Sequence, residues 1–436
     1  MITSIDAFAS AYIRQELRKQ LMTRISIPYG NETVDISVPE KNIADIVYPR
    51  EVSIENSYSV LQKAIRNPLG EQVIEDTLQA KVPVLIIVND ATRPTRTSMV
   101  LETIEHYVQN KHLQFIVATG AHRAPTEQEL RTIFGKYYKE YQNRILIHDA
   151  QNKESLEYYG KTRYGNELWL NKAVARFERI FVIGSVEPHY FAGFTGGRKS
   201  ILPGIAGYDT IEQNHKFAAH PKAQPLNLNG NPIHEEMVDC VKTLDDKQLL
   251  SIQMVLDRNY NIYDAFAGSI DRTFEMATRI AARLYRVRIP ACAEIVVTVA
   301  QKPFDINLYQ TLKAIEHGRM ALRKGGILIT ISACSEGIGP ASFARLFGDR
   351  NSLKTAALNV QSCYRLGDHN AGNLWNFIEN NDLWVITTIP QDELANARIK
   401  CFATAQEAVD QAIKHKGKNT KVLFLLNGCF TVPEVV

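Results

Sequence analysis

The chain carries little that would tie it to an oxidising compartment, a membrane or a polyanion. Its 436 residues hold only six cysteines, at 240, 292, 334, 363, 401 and 429, and none stands in a Cys-x-x-Cys spacing. Thiols scattered in this way argue against a disulfide framework and against zinc or iron–sulfur sites built on paired cysteines. Apolar runs are short, and none is long enough to span a bilayer. The first stretch, Met1 to Gln20, mixes Asp, Arg, Glu and Lys with apolar residues and lacks the continuous core of a signal peptide. A cytoplasmic setting is therefore expected. Net charge is only +3, too small a surplus to predict nucleic acid or an anionic membrane as a partner. Internal repeats and low-complexity tracts are also missing.

What is present is an ordinary globular composition, 45% apolar and 22% charged, in a chain too long for one common core. Short apolar runs alternate with helix-like stretches, the pattern of a mostly parallel α/β protein. Residues 82–88, 113–119 and 179–184 are predicted strands in the first half, with a helix beginning at Pro125. Residues 293–300, 326–332, 383–389 and 421–426 are predicted strands in the second half, with helices over 308–322 and 404–416 between them. A division into 1–275 and 276–436 follows, with the boundary somewhere within 255–285. Each strand of the first half ends in unusual residues. In open α/β sheets that carboxyl edge is where ligands bind.

The densest of these ends is Glu187-Pro-His-Tyr-Phe-Ala-Gly-Phe-Thr-Gly-Gly-Arg-Lys199, continuing through Ser200-Ile-Leu-Pro-Gly-Ile-Ala-Gly207. It brings His189, Lys199 and five glycines, including Gly196 and Gly197, into one segment. Glycines allow close approach of backbone to a bound group. A histidine supplies a base, and a lysine among glycines supplies an amine with a lowered pKa that can form a covalent bond. The spacing is not that of a phosphate loop, because Arg198 stands where a glycine is required before the lysine. His215 follows in a helical stretch and is either a metal ligand or a plain core histidine.

The other strand ends are less decisive taken singly. In Asp90-Ala-Thr92-Arg93-Pro94 the arginine can offer its planar fork to a carboxylate or phosphate, and Asp90 can hold a hydroxyl; a simple turn with an Asp–Arg pair is the alternative. Gly120-Ala-His122-Arg123 sets a histidine immediately after a strand, suited to acid/base work or to satisfying backbone. In the second half Asp305-Ile-Asn-Leu-Tyr309-Gln310-Thr-Leu-Lys313 opens a helix. Gln310 and Lys313 share a face and with Tyr309 can grip a small acid; the alternative is an ordinary first turn capped by Asp305. Ser335-Glu-Gly-Ile-Gly339 is an anion loop or a mere turn. Gly367-Asp-His369-Asn370 offers a histidine read as structural, and Trp375 and Trp384 are read as packing residues. His220 and His234 have no metal-ligand spacing.

Together these motifs resemble the nickel-dependent lactate racemase family, with order and spacing matching from about residue 80 to residue 320. The resemblance implies two α/β domains with mostly parallel sheets and an active site in the cleft between them. It implies a racemase or epimerase of a 2-hydroxy acid that works by reversible hydride transfer through a 2-keto acid. The implied cofactor is a nickel-pincer nucleotide, the nickel complex of pyridinium-3,5-bisthiocarboxylic acid mononucleotide, bonded covalently to Lys199. Carried over, His215 is the nickel ligand, and His122 and His189 are the acid/base pair. Arg93, Tyr309, Gln310 and Lys313 hold the substrate, while Asp90, Thr92, Gly196 and Gly197 contact the cofactor. The partners implied are a small 2-hydroxy acid and the proteins that make the cofactor, with oligomeric state left open.

Two departures bear on the substrate. Ala300-Gln301-Lys302-Pro303 replaces a glycine pair, and Asn370 replaces a lysine. Lys302 or Arg198 is accordingly expected to favour a second carboxylate or a polyhydroxy acid over lactate. The rival readings are a 2-epimerase of a longer sugar acid, a nucleotide- or metallocofactor-binding protein without turnover, and a Schiff-base enzyme using Lys199.

Overall fold

The computed structural model describes residues 21–71, 74–79, 82–107, 112–349, 351–360 and 362–436. Met1 to Gln20, read above for a leader, lies outside them. The chain opens with an antiparallel hairpin, β1 (Met22–Tyr29) and β2 (Glu32–Pro39), followed by β3 (Ile43–Val47). Three strands follow, β4 (Val84–Asn89), β5 (Leu113–Ala118) and β6 (Ile145–Ile147), with helix α1 (Glu127–Phe134) before β6. After β7 (Leu156–Lys161) and β8 (Glu167–Asn171) comes β9 (Arg179–Ser185), which leads into a tiny hairpin, β10 (Pro188–His189) and β11 (Gly193–Phe194). Helices α2 (Tyr208–Lys216) and α3 (Pro232–Lys242) lead to β12 (Gln248–Leu256) and β13 (Ile262–Ser269).

Helix α4 (Ile270–Tyr285) and β14 (Arg286–Ile289) make the crossing to the second half. There β15 (Ala293–Val299), α5 (Leu308–Met320) and β16 (Leu322–Ile331) are followed by α6 (Asp368–Ile378) and β17 (Asp382–Ile386). The chain closes with β18 (Lys400–Cys401), α7 (Ala405–Lys416), β19 (Val422–Leu425) and β20 (Val432–Val435).

Two six-stranded sheets result, in the orders β13-β12-β9-β4-β5-β6 and β18-β17-β16-β15-β19-β3. The first is parallel except at β13, and the second is parallel throughout. Strands covered on both faces have no polar face to present, which is why Val84 to Val88 is an unbroken apolar run with all five residues at 0% exposure. Separate apolar clusters cover the faces of each sheet. A fifth cluster, with Val186, Phe274, Tyr285, Phe304 and Phe430, joins the two halves. Tyr285 is fully buried in it and donates its hydroxyl to the Leu256 carbonyl at 2.5 Å. Among the described residues no helix is long and apolar enough to cross a membrane.

The division expected at 275 needs correction. Position 275 falls inside α4, and β3 pairs in parallel with β19 as the edge of the second sheet. Hairpin β1–β2 packs on that same sheet through Ile25, Ile27, Ile36 and Val38. Strand β3 is short and not continuously apolar, so its sequence carries no sign of which sheet it joins. The second sheet is thus completed by residues from the start of the chain.

A fragment of residues 276–436 is therefore expected to aggregate or remain unfolded, because Ile295, Val297 and Phe424 would lose the hairpin that covers them. Fusing residues 21–49 to it should restore a cooperative thermal transition by circular dichroism. A fragment that melts cooperatively without them would contradict this account of the second sheet.

Candidate active site

The carboxyl ends of β4, β5 and β9 all open onto one cavity of about 230 Å³, and α5 of the second sheet closes it with Tyr309, Gln310 and Lys313. Crossover loops leave parallel strands on this side, so residues far apart in sequence converge. Asp90, Arg93, His122, His189, Gly196, Lys199, His215, Tyr309, Gln310 and Lys313 all line the cavity. Gly197 and Thr92 do not. Gly197 sits at φ +51°, where an added Cβ would meet Phe274 at 2.9 Å, so packing accounts for that glycine. Thr92 instead supports Asp90 and faces a neighbouring pocket on the far side of His122.

Asp90 lines the cavity and is also engaged by neighbouring side chains. One carboxylate oxygen accepts from the Thr92 amide at 3.1 Å and its hydroxyl at 2.7 Å, and the other faces His122 Nδ1 at 2.7 Å. Burial works to raise the Asp90 carboxyl, but the His122 ring, Arg93 and Thr92 outweigh it and hold it below the usual carboxylate range. An ionised carboxylate at Nδ1 requires the proton on that nitrogen, leaving Nε2 of neutral His122 as an acceptor. Gln310 faces that Nε2 with its amide nitrogen at 3.4 Å, while its carbonyl accepts from Lys313. A chain of four side chains from both halves thus fixes one ring.

His189 is held in the opposite sense. Its Nδ1 accepts from the Ala192 amide at 3.3 Å, which leaves the proton on Nε2. Burial first, then Lys199, Lys313 and Arg93, push its pKa well below the usual histidine range, so the ring is neutral. The hairpin that carries it is latched by Thr195, whose hydroxyl accepts from the Glu187 amide at 2.7 Å and donates to the Glu187 carboxylate.

Lys199 is buried, and its amine lies 5.6 Å over the Phe191 ring and makes no hydrogen bond or ion pair with any described residue. Burial, with Arg93, Arg198 and Lys313 nearby, lowers its amine well below the lysine range. An amine lowered in this way and left without a partner is more readily available as a nucleophile. His215 projects from α2, is kept neutral by burial and by His369 and Lys199, and its Nδ1 is enclosed without a hydrogen-bond partner. Arg93 donates to the Thr92 carbonyl and hydroxyl and pairs with no carboxylate among the described residues.

The two residues expected to read a second carboxylate do not face the cavity. Arg198 is buried but spends its guanidinium on His234 at 2.8 Å and on the carbonyls of Ala192, Phe194 and Gly196, stacked 4.0 Å from Phe274. Lys302 is exposed and bonds Asn31. Asn370 is buried and accepts from the Tyr190 hydroxyl at 2.8 Å. Helix α5 is capped by Asn307, which accepts from the Gln310 amide at 3.0 Å, and not by Asp305. Sequence reading missed Tyr190 and the support by Thr92. The Asp-x-Thr motif held the signal for the latter, since Asp side chains commonly bond the backbone two residues on.

The chain is similar to known proteins over most of its length. The model of the lactate racemase N-terminal domain matches residues 29–225, and that of the lactate racemase C-terminal domain matches residues 289–432. The chain is 31% identical over 335 residues to a lactate racemase from Thermoanaerobacterium thermosaccharolyticum, covering 75% of this chain and 78% of that protein. It is 28% identical over 423 residues to a lactate racemase from Lactiplantibacillus plantarum, covering 93% and 99% respectively. The solved structure of the Thermoanaerobacterium lactate racemase apoprotein superposes with a TM-score of 0.84 at 27% identity, over 94% of this chain and all of that one.

Lys313 is pushed down to about 7 by burial and by Arg93. Nitrogen-15 or Cε chemical shifts should show one lysine titrating near neutrality, cationic below that pH and neutral above it. Filling the site with a small carboxylate should move the midpoint upward, because a bound anion favours the charged amine. A normal lysine midpoint in the unfilled protein would contradict the enclosed setting described here.

Proposed function

The chain belongs to the lactate racemase family, an isomerase family, and on that premise we propose that it racemises or epimerises a 2-hydroxy acid by reversible hydride transfer. The observation that carries the reading is two histidines whose hydrogen bonds favour opposite tautomers, facing one cavity beside a lysine amine without a hydrogen-bond partner among the described residues. Inversion at a carbon bearing a hydroxyl requires exactly such complementary groups. One must take the hydroxyl proton as the hydrogen on carbon leaves, and the other must return a proton after the planar keto acid has turned. His122, with Nε2 bare, serves as base toward one enantiomer. His189 can return a proton toward the other only as imidazolium, since a neutral ring that gave up its Nε2 proton would be left as an imidazolate, and the two roles exchange in the reverse direction. Lactate, named for the relatives, is the first substrate to test, since neither Arg198 nor Lys302 lines the cavity to favour a larger acid.

The residues present suit a nickel-pincer nucleotide. The free amine of Lys199 fits covalent attachment, and His215 offers one neutral imidazole to the metal. Among the described residues no group of three or more His, Cys, Asp or Glu could hold a metal alone, so the remaining ligands must come with the cofactor. When bound, the cofactor supplies an electrophilic acceptor for hydride, which spares the enzyme a carbanion beside an ionised carboxylate. Arg93 and Lys313 hold the substrate carboxylate, and Tyr309, whose hydroxyl burial keeps protonated up to about 12, donates beside them. Gln310 ties this grip to the base through its contact with His122.

Co-expression with proteins that assemble the cofactor should give a nucleotide-sized adduct on the Lys199 peptide and about one nickel per chain, read by peptide mass spectrometry and metal analysis. Such protein should interconvert the enantiomers of lactate or a close 2-hydroxy acid on chiral chromatography. Unmodified Lys199 without nickel in a folded, properly supplied sample would refute the cofactor assignment. Loaded protein that leaves every enantiopure acid unchanged would leave only a binding protein.

Asp90→Asn is expected to lower kcat by roughly 100- to 10,000-fold, the range of a lost acid/base contribution. The amide can no longer hold the His122 proton on Nδ1, whereas cofactor attachment should persist. Loss of the Lys199 adduct with kcat of the residual loaded enzyme intact would instead return Asp90 to cofactor binding.

A further inference from the structure

His369 was read from sequence as structural, and it does not line the cavity. Its surroundings point elsewhere. It sits in the first turn of α6, fully enclosed, with Nδ1 at 2.6 Å from the Tyr364 hydroxyl and Nε2 without any hydrogen-bond partner. His215 on α2 likewise has an enclosed nitrogen, Nδ1, without a partner. The two rings stand 6.0 Å apart, centre to centre, at 67° to one another, and both lie edge-on to Phe191 at 5.0 and 5.2 Å. Two ring nitrogens of neighbouring histidines, shut away from water and without partners among the described residues, are costly apart. Shared between them, one proton satisfies both.

The first turn of α6 is registered against the first half independently of these rings. The Leu366 amide donates to Glu212 at 2.7 Å, one helical turn before His215 on α2, and Tyr190 donates to Asn370. On the other side Arg345 pairs with Asp368 at 2.5 Å. These contacts hold the two histidine rings beside one another. The carbonyl of Ile211, one turn back in the same helix, also acts on His215 without completing a hydrogen bond at Nδ1.

We propose that His369 is a positioning residue for His215: its Nε2 accepts the His215 Nδ1 proton, while its own Nδ1–H donates to the Tyr364 oxygen. In this arrangement His215 is locked in the tautomer whose Nε2 is a bare lone pair, the only neutral form able to bind a metal through that atom. Metal-binding histidines almost always donate their second ring N–H to an acceptor. Here the acceptor comes from the other half of the protein, so metal readiness depends on α6 being docked. The proposal rests on the reading of His215 as the nickel ligand, but the proton arrangement can be tested without any metal.

Long-range proton–nitrogen spectra of the unloaded, histidine-labelled chain report both tautomers directly. The expected result is Nδ1–H on both His215 and His369. In His369→Leu, His215 should shift to the Nε2–H form, and His369→Gln, whose carbonyl can accept, should restore Nδ1–H. Tyr364→Phe should release the His369 proton from Nδ1 and needs no change at His369, should the leucine variant fail to fold. Nε2–H on His215 in the wild type would overturn the proposal, and Nδ1–H persisting on His215 in His369→Leu would overturn it and give the role to the Ile211 carbonyl.

In co-expressed protein, nickel retention against a chelator should fall roughly 10- to 100-fold in His369→Leu and recover in His369→Gln. Equal retention in both would also overturn it. A wild type without nickel would refute the nickel reading of His215 and leave the spectra to decide the hydrogen bond.

Discussion

Everything at this site depends on how three basic side chains are kept in a nearly closed cavity with too few carboxylates to answer them. Arg93, Lys199 and Lys313 face it, whereas Asp90 is occupied by His122 and Glu187 lies behind the hairpin, raised by burial. At an effective dielectric of about 20, unit charges 4 Å apart already interact by about 4 kcal/mol, so the fold cannot hold three full cations here at no cost. It answers by releasing protons: Lys199 falls far below its normal range and Lys313 to about 7. The site is thus poised for anions, and a carboxylate or phosphate entering it recovers what desolvation took. The same depression that relieves repulsion makes Lys199 a nucleophile.

Much of this was legible in the sequence, for identifiable reasons. The seven strands expected from apolar runs all exist, with ends shifted by a few residues, because parallel strands buried on both faces leave no alternation to confuse them. His122, His189, Lys199 and His215 could be singled out because each follows a strand or lies on the helix next to a glycine-rich turn. What escaped was pairing. That Asp90 faces His122 depends on β4 and β5 being neighbours in register, with Asn89 opposite Ala118. That Lys302 points to Asn31 depends on the β1–β2 turn reaching the second sheet. A lysine in sequence is a charge without a direction.

The placement of β3 shows the same limit at larger scale. No local property of Ile-Ala-Asp-Ile-Val distinguishes an edge strand of one sheet from that of another. Its membership is decided by β19 and by the hairpin before it. The consequence for function is that the halves are not two beads on a string. The start of the chain completes the second sheet, α4 and the Tyr285 cluster join the two, and Arg123 bridges Glu129 and Glu336 at the cavity mouth. That last pair is solvent-exposed and worth little by itself. It marks where the halves meet rather than what holds them together.

The histidines give the arrangement its chemical logic. Neutral imidazoles prefer neither nitrogen strongly, so an enzyme that needs one ring bare and another protonated at equivalent atoms must set each by its far side. Asp90 does this for His122 with a charge, and the Ala192 amide does it for His189 with a backbone dipole. The asymmetry matters, because a carboxylate stabilises the protonated ring that forms when His122 takes a proton, whereas an amide donor opposes protonation of His189. A racemase with an equilibrium constant of one must nevertheless run both ways. The cationic neighbours of His189 have to be screened by bound anions before it can accept a proton in turn. On the proposed function, cofactor and substrate carboxylate would supply that screening together, so the second half-reaction would become available only when the site is full.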